Sequence, residues 1–262
     1  MKAFLIQHQD EVPPGIVLEV LAELKWEAEV LLMQKKPEIP SSLEGFDCLV
    51  LLGGTMNVDD IEDFPYLAEL RRLTAKALKG GFPVLGLCLG AQMMARAAGS
   101  RVYRDRCGEI GWCQVQLTRE GLEDKVLTGI KSPFEVFHWH EDMFELPEKS
   151  VLLGTSAVCP NQIVRIGKNS YGFQFHPEVT GDIILSWTQI YHNEVESRLG
   201  PGGPGLLIDQ TKEKIDLYLR VSRQILTNYF RNIQASFLKI DASKVSLEKV
   251  MATAAINAAA RE

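Results

Sequence analysis

The sequence predicts an α/β protein in which a mostly parallel sheet is covered by helices. Short apolar runs alternate with segments whose apolar residues recur at helical spacing, as in βαβ units. The 262 residues are 46% hydrophobic and 24% charged, which is enough apolar material for a sizeable core. The net charge of −6 argues against nucleic acid or an anionic membrane surface as a partner.

The order of the predicted elements follows from these patterns. Apolar residues 3–6 predict the first strand, and residues 48–52 predict a fully buried strand that ends at a glycine pair. A strand at 84–87 continues directly into a helix at 89–98, which ends at Gly99. The other predicted elements are strands near 30–33, 115–117, 134–138 and 172–176, and helices at 16–26 and 66–78.

Composition divides the chain into three predicted parts. Residues 1–195 carry the alternating pattern and are predicted to form the catalytic domain. Residues 196–205 contain prolines and glycines and are interpreted as a flexible linker. Residues 206–262 are predicted to form a helical C-terminal extension, which is a candidate surface for a homo-oligomer.

Two further features concern location. No apolar run approaches the roughly 18 residues that cross a bilayer, so no membrane partner is expected. Five cysteines at irregular positions are not typical of a disulfide framework, which favours a reducing, cytoplasmic compartment.

Cys88 is the most informative residue, because it lies between a predicted buried strand and a predicted helix. Glycines stand two positions before and after it, at Gly86 and Gly90, where strand and helix must pass close together. A thiol on such a turn lies near a helix N-terminus, which favours the thiolate. The alternative is a buried, inert cysteine, since free cysteines are often buried. The strand–turn–helix context favours a nucleophile, with the N–H of Leu89 aimed at an oxyanion.

A candidate base and its partner lie downstream at His176 and Glu178. Side chains two residues apart on an extended segment share a face, and Pro177 keeps the preceding residue extended. A carboxylate beside an imidazole fixes its tautomer and stabilises the imidazolium. A histidine at a strand end with a solvated glutamate is the alternative, and the pair gains its meaning from the cysteine turn.

Together these motifs resemble a known family. The segment Gly86-Leu87-Cys88-Leu89-Gly90-Ala91-Gln92 and the later His176-Pro177-Glu178 resemble the signatures of class I glutamine amidotransferases. The resemblance covers about residues 1 to 190 and is strongest to free-standing members similar to the glutaminase domain of GMP synthetase. It implies a flavodoxin-like core and a γ-glutamyl thioester formed from glutamine with release of ammonia.

The resemblance also implies roles for individual residues. Gly53 and Gly54 would supply the second oxyanion donor, and Gln92 would hold the amino-acid end of the substrate. Trp139 and His140 fall where the family has a Ser-His-x-Asp loop and would line the same pocket. Trp139 stands in place of the usual serine, and Thr55 in place of the proline that usually follows the glycine pair.

Residues 138–142 also form an H-x-H-x-D pattern, which is one used to bind zinc. That reading needs further ligands that the sequence does not indicate, so no metal site and no cofactor are expected. The substrate is expected to be glutamine or another γ-glutamyl amide, with a separate ammonia-accepting synthase subunit as a possible partner. Two alternatives stay open: a stand-alone γ-glutamyl hydrolase or transferase acting on a bulkier amide, and a non-catalytic interaction protein.

Overall fold

A nine-stranded mixed sheet forms the centre of the computed structural model. The structure describes the backbone of residues 1–35 and 37–259, and the side chains of those residues up to 237. The strands are β1 (Lys2–Gln7), β2 (Glu27–Leu32), β3 (Cys48–Leu51), β4 (Val84–Leu87), β5 (Val102–Tyr103), β6 (Glu109–Leu117), β7 (Phe134–His140), β8 (Met143–Phe144), β9 (Ser150–Thr155), β10 (Ile163–Ile166) and β11 (Ser170–Phe173). The helices are α1 (Ile16–Glu23), α2 (Tyr66–Lys79), α3 (Leu89–Ala97), α4 (Arg119–Leu122), α5 (Gly181–Ile190), α6 (His192–Leu199) and α7 (Gly203–Ala259).

The sheet has a parallel half and an antiparallel half. Its order is β2-β1-β3-β4-β11-β10-β9-β6-β7, and the first five of these strands pair in parallel. The remaining pairs are antiparallel. The parallel half has the 2-1-3-4-5 order of the flavodoxin-like fold. The predicted fold class is therefore confirmed, and a short β5–β8 ribbon lies outside the main sheet.

Helices cover both faces of the sheet. The buried residues of α2 recur at helical spacing and pack, with α3, on one face. Helices α1, α5 and α7 contribute buried residues to the larger cluster on the other face. None of the helices in the described part of the chain is long and apolar enough to cross a membrane.

The carboxyl ends of the parallel strands meet at one edge of the sheet. Cys88 follows β4, Gly53 follows β3, and His176 comes three residues after the end of β11. In open α/β sheets this is the edge at which ligands bind. The fold therefore gathers residues that are 35 to 123 positions apart in sequence.

Two predicted elements extend three residues beyond the point where they end in the structure. Helix α1 ends at Glu23 because Lys25 takes a φ of 60°, which turns the chain and places Trp26 in the core. Strand β11 ends at Phe173, since the next residues leave the ladder with β4. The N–H of His176 donates to the carbonyl of Phe137, at 3.0 Å, which carries the chain across to β7.

The segment predicted as a flexible linker is mostly helical. Helix α6 runs to Leu199 and α7 begins at Gly203, so only residues 200–202 connect them. Gly200 and Gly202 both have a φ of 82°, which makes this connection a tight turn. Pro204 lies in the first turn of α7, where the absence of an N–H breaks no helical hydrogen bond.

The predicted extension is helical as far as it is described, but its first half belongs to the core. Leu207, Leu226, Tyr229 and Phe230 of α7 are each fully buried in the larger cluster. An amphipathic face of α7 therefore packs directly on the sheet and on α1 and α5, so this half is no separate appendage. Residues 260–262 lie outside the described residues, and the division into domains stays a prediction.

Candidate active site

Cys88 lies on a sharp turn between β4 and α3. Its φ of 50° is a conformation that costs non-glycine residues free energy, and it is retained where surrounding structure enforces it. A Cβ on Gly90 would lie 2.1 Å from the carbonyl oxygen of Leu51, and one on Gly86 would lie 2.5 Å from the carbonyl oxygen of Gly90. The two glycines are therefore required by close backbone contacts, as the sequence predicts for a nucleophile elbow.

His176 and Glu178 form a buried hydrogen-bonded pair. The imidazole Nδ1 lies 2.7 Å from Oε1 of Glu178, and both side chains are almost completely buried. This contact favours the tautomer with its proton on Nδ1, which leaves Nε2 to accept a proton. The backbone of Glu178 is held in turn, because its carbonyl accepts the N–H of Ile16 at 2.9 Å. A Cβ on Gly15 would lie 1.9 Å from that carbonyl oxygen, so only glycine permits this approach.

The charge of the pair is set by opposing effects. Burial lowers the pKa of His176, but the adjacent Glu178 carboxylate and Cys88 thiolate outweigh burial and hold the pKa well above its usual value. An opposite charge within hydrogen-bonding distance favours the charged form of a base. The site therefore favours the imidazolium form of His176.

The backbone carbonyl of Trp139 contacts both reactive side chains. It accepts from the Cys88 thiol at 3.7 Å and lies 3.4 Å from Nε2 of His176. The indole of Trp139 points elsewhere, donating to Glu194 at 2.9 Å and packing edge-on against Trp187 and Tyr191. Strand β7 therefore places backbone beside the reactive atoms and aromatic surface at the wall of the site.

Gln92 and His140 both contact the backbone carbonyl of Asp142. Gln92 donates to the carbonyl of Asp142 at 3.3 Å, and Nδ1 of His140 lies 3.1 Å from the same oxygen. Gln92 also donates to Oε1 of Gln174 at 3.3 Å, and the amide of Gln174 lies 3.8 Å from the sulfur of Cys88. The sequence analysis missed Gln174, although it precedes His176 by two residues, the spacing that relates His176 to Glu178.

A cavity of about 340 Å³ opens above Cys88. It combines the reactive pair with acidic and aromatic side chains, several of which the sequence analysis did not select. The lining residues are Val12, Gly54, Thr55, Met56, Cys88, Gln92, Trp139, His140, Glu141, Asp142, His176, Trp187, Tyr191 and Glu194. The predicted substrate-binding residues Gln92, Trp139 and His140 all belong to this set.

The predicted oxyanion residues lie beside the same cavity. Leu89 is the first residue of α3, where helical N–H groups have no partner within the helix. A Cβ on Gly53 would lie 3.0 Å from the His176 ring, and one on Gly54 would lie 2.8 Å from the Leu89 side chain. Thr55 is anchored, because its N–H donates to the side chain of Gln9 at 2.9 Å. No pattern in the sequence predicts this contact between Gln9 and Thr55.

The side chain of Asp142 is not the carboxylate that lies beside the two histidines of the H-x-H-x-D pattern. The carboxylate of Asp142 accepts from the side-chain amide of Asn57 and from the N–H of Asp105. The carboxylate close to His138 and His140 is that of Glu109, on the neighbouring strand β6.

Fold and site together define a class: α/β proteins with a cysteine at a sharp strand-to-helix turn and a histidine beside it. The family model described as "Glutamine amidotransferase class-I" matches residues 16–183. A glutamine amidotransferase-like protein of Salmonella typhimurium, YfeJ, is 34% identical over 166 residues, which are 62% of this chain and 69% of that protein.

Two further comparisons agree. A GMP synthase (glutamine-hydrolysing) of Porphyromonas gingivalis is 33% identical over 187 residues, 70% of this chain but only 32% of that protein. The crystal structure of a glutamine amidotransferase from Thermotoga maritima superposes with a TM-score of 0.78 at 30% identity, covering 87% of this chain and 97% of that one. The chain belongs to the class I glutamine amidotransferase family, as its motifs predict.

Proposed function

We propose that the protein is a glutaminase of the amidotransferase type, with Cys88 as nucleophile and His176 and Glu178 as its activating pair. One observation carries the proposal: a cysteine held at positive φ lies beside a histidine whose Nδ1 is 2.7 Å from a buried carboxylate. A positive φ at a non-glycine residue costs conformational free energy. Such a cost is retained where the turn presents a nucleophile above the edge of a sheet.

The proposed reaction is acyl transfer. The Cys88 thiolate attacks the γ-carboxamide carbon, and the oxyanion is stabilised by the N–H of Leu89 and one from Gly53 or Gly54. His176 gives its proton to the leaving ammonia, which leaves a γ-glutamyl thioester. His176 then takes a proton from water, the hydroxide adds to the thioester, and Cys88 leaves as thiolate. Glu178 stays ionised and stabilises the imidazolium throughout.

The test uses the other thiols of the chain as internal controls. A diazo-ketone analogue of glutamine should alkylate Cys88 and spare Cys107 and Cys113, which are partly exposed. In the Cys88→Ala variant the rate of ammonia release should fall by a factor of about 10⁶, and the unfolding temperature should match that of the parent protein. Label on another cysteine, or turnover by a folded Cys88→Ala protein, contradicts the assignment.

The wall of the cavity supports a second candidate, a hydrolase for bulkier γ-glutamyl amides. Trp139, Trp187 and Tyr191 form an aromatic side beyond the reactive pair, larger than the side chain of glutamine requires. Rates on glutamine and on γ-glutamyl alkylamides and arylamides distinguish the two candidates. If the amine group rests on this wall, Tyr191→Ala should slow the bulky amides selectively and leave glutamine turnover unchanged.

The acceptor of the ammonia belongs to the same proposal. The chain matches about a third of the P. gingivalis GMP synthase, and a synthase that uses the released ammonia is part of the proposal. Glutaminase activity of the chain by itself is expected to be low, and addition of the accepting subunit should raise it.

A further inference from the structure

A second group of potential metal-ligating side chains lies on β6 and β7, outside the proposed catalytic set. A carboxylate oxygen of Glu109, the sulfur of Cys113 and a ring nitrogen of His138 all lie within 4.8 Å of one another. Glu109 is 5% exposed and His138 is completely buried, whereas Cys113 is partly exposed. These three residue types are the usual ligands of zinc and related divalent transition metals.

The strand geometry that joins Glu109 to Cys113 is unusual. Residues four apart on a regular strand are separated by about 13 Å, too far for two short side chains to meet. Gly111, midway between them, has a φ of 91° and pairs with His138 across the ladder. A glycine of this kind bends a strand or marks a close approach. The bend brings two distant donors onto the same histidine.

His138 is an imidazole with unused ligand atoms. Among the described residues, neither of its ring nitrogens has a hydrogen-bond partner, although the ring is fully buried. Leaving a buried polar group unpaired costs about 1–3 kcal/mol, so such a group calls for an explanation. Nδ1 lies 3.8 Å from Oε2 of Glu109, too far for a hydrogen bond. A tetrahedral zinc site has a nitrogen–oxygen edge of about 3.4 Å, so a small shift of these two atoms would let them share one ion.

A neighbouring group shares Glu109 but is less suited to bind a cation. Glu109, His140 and Cys159 also bring their donor atoms within 4.8 Å of one another. Both nitrogens of His140 are already engaged, with Nε2 3.1 Å from Glu109 and Nδ1 3.1 Å from the carbonyl of Asp142. In both groups an ion would share the Glu109 carboxylate with Ser156, Gln162 and His140. His138 still offers a free nitrogen, whereas His140 would also have to give up a contact.

The geometry points to a binding site for a divalent transition metal, of which zinc is the best match, formed by Glu109, Cys113 and His138. Three protein ligands leave a fourth coordination position open, and the partly exposed Cys113 gives the ion a route of entry. The site would join β6 to β7 one residue away from Trp139, whose carbonyl contacts Cys88 and His176. This revises the expectation, drawn from sequence, that the chain has no metal site.

The test is titration of the full chain, stripped with a chelator, with Co²⁺ alone under reducing conditions. Binding through a thiolate gives a sulfur-to-cobalt charge-transfer band, and Zn²⁺ should abolish it by competition. We expect one ion per chain. Cys113→Ser and His138→Gln should each weaken binding at least tenfold, the effect that loss of even an outer-sphere contact produces. Cys107→Ser is the matched control, since Cys107 is also a partly exposed thiol.

Each outcome decides the matter. A band that survives in Cys113→Ser but disappears in Cys159→Ser would place the ion at the neighbouring group and overturn the assignment. Absence of the band in the parent protein would overturn the site altogether. Equal loss in Cys107→Ser and Cys113→Ser would indicate adventitious thiol binding. Cys113→Ser removes a partly exposed sulfur, so its unfolding temperature should match that of the parent, which keeps the comparison valid.

Discussion

Replacing Glu178 by glutamine is expected to slow amide hydrolysis less than replacing His176 by alanine. The carboxylate accepts from Nδ1 of His176 through Oε1, at 2.7 Å, while Oε2 is buried without a partner among the described residues. Glutamine keeps an oxygen for the first contact and places an amide NH₂ where no acceptor is found. The ring therefore keeps an orienting partner but loses the negative charge beside it.

The size of the loss follows from that distance. Opposite charges 2.7 Å apart attract by about 6 kcal/mol at an effective dielectric constant of about 20. This is close to the roughly 10⁴-fold loss seen when an amide replaces a triad carboxylate. Because the amide oxygen still orients the ring, we expect a loss between about 10² and 10⁴. Removing the proton carrier with His176→Ala should cost about 10⁶.

Two assays separate charge from position. Ammonia release from glutamine, followed by a coupled enzyme, gives the rate, and alkylation of Cys88 by the diazo-ketone reports thiolate formation without turnover. Burial lowers the pKa of His176, but Glu178 and Cys88 raise it, so loss of the Glu178 charge must lower that pKa. The alkaline limb of the rate profile should therefore move to lower pH in Glu178→Gln. Equal rates for the two variants, or a Glu178→Gln profile that does not move, would refute this assignment of roles.

Three further predictions concern the oxyanion loop, a buried histidine and the last helix. Thr55→Pro should raise glutamine turnover, because proline restricts the preceding peptide, and the gain should reach at most about 10²–10³-fold, which is the contribution of one oxyanion donor. Gln9→Ala removes the hydrogen bond that anchors Thr55 but adds no such restriction, so an equal gain in that variant would contradict this explanation. Burial lowers the pKa of His8 to about 4. As the pH falls below about 6.5, His8 is therefore protonated in the unfolded chain before it is protonated in the folded protein, and up to about 3 kcal/mol of stability should be lost by pH 4. His8→Asn should not show that component, and parallel pH slopes of unfolding free energy for the two proteins would argue against it. Leu226→Ala should destabilise by about 2–5 kcal/mol in urea unfolding, as expected if α7 is part of the core, whereas a loss below about 1 kcal/mol would make it an appendage.

The sequence was sufficient to predict the parallel half of the fold and the proximity of Cys88, His176 and Glu178. Those features rest on local patterns: apolar strands, glycines on either side of Cys88 and a two-residue spacing from His176 to Glu178. The antiparallel half was less predictable, because β9 joins the sheet by pairing with β6, whose residues lie 37 to 39 positions earlier in the chain.

Part of the cavity wall could not be predicted from local sequence patterns. Tyr191 and Glu194 lie on or beside α6, in a segment whose composition resembles a surface helix, and they reach the cavity only through the packing of α6 near β7. The contact between Gln9 and Thr55 joins residues 46 positions apart with no periodic signal between them. Local patterns select the candidate catalytic residues, while tertiary packing determines what surrounds them.

Helix α7 lies beyond the segment shared with the family model, residues 16–183, yet it folds together with that segment. The family match ends at residue 183, yet buried side chains continue along α7 to Ile233. Tyr218 of that helix donates to the backbone carbonyl of His176 at 2.5 Å, so a residue beyond the shared segment supports the proposed base. A recombined chain that received only the shared segment would contain Cys88, His176 and Glu178 without the surface against which they rest. Exchange of this module between proteins therefore requires that α7, or an equivalent cover, travel with it.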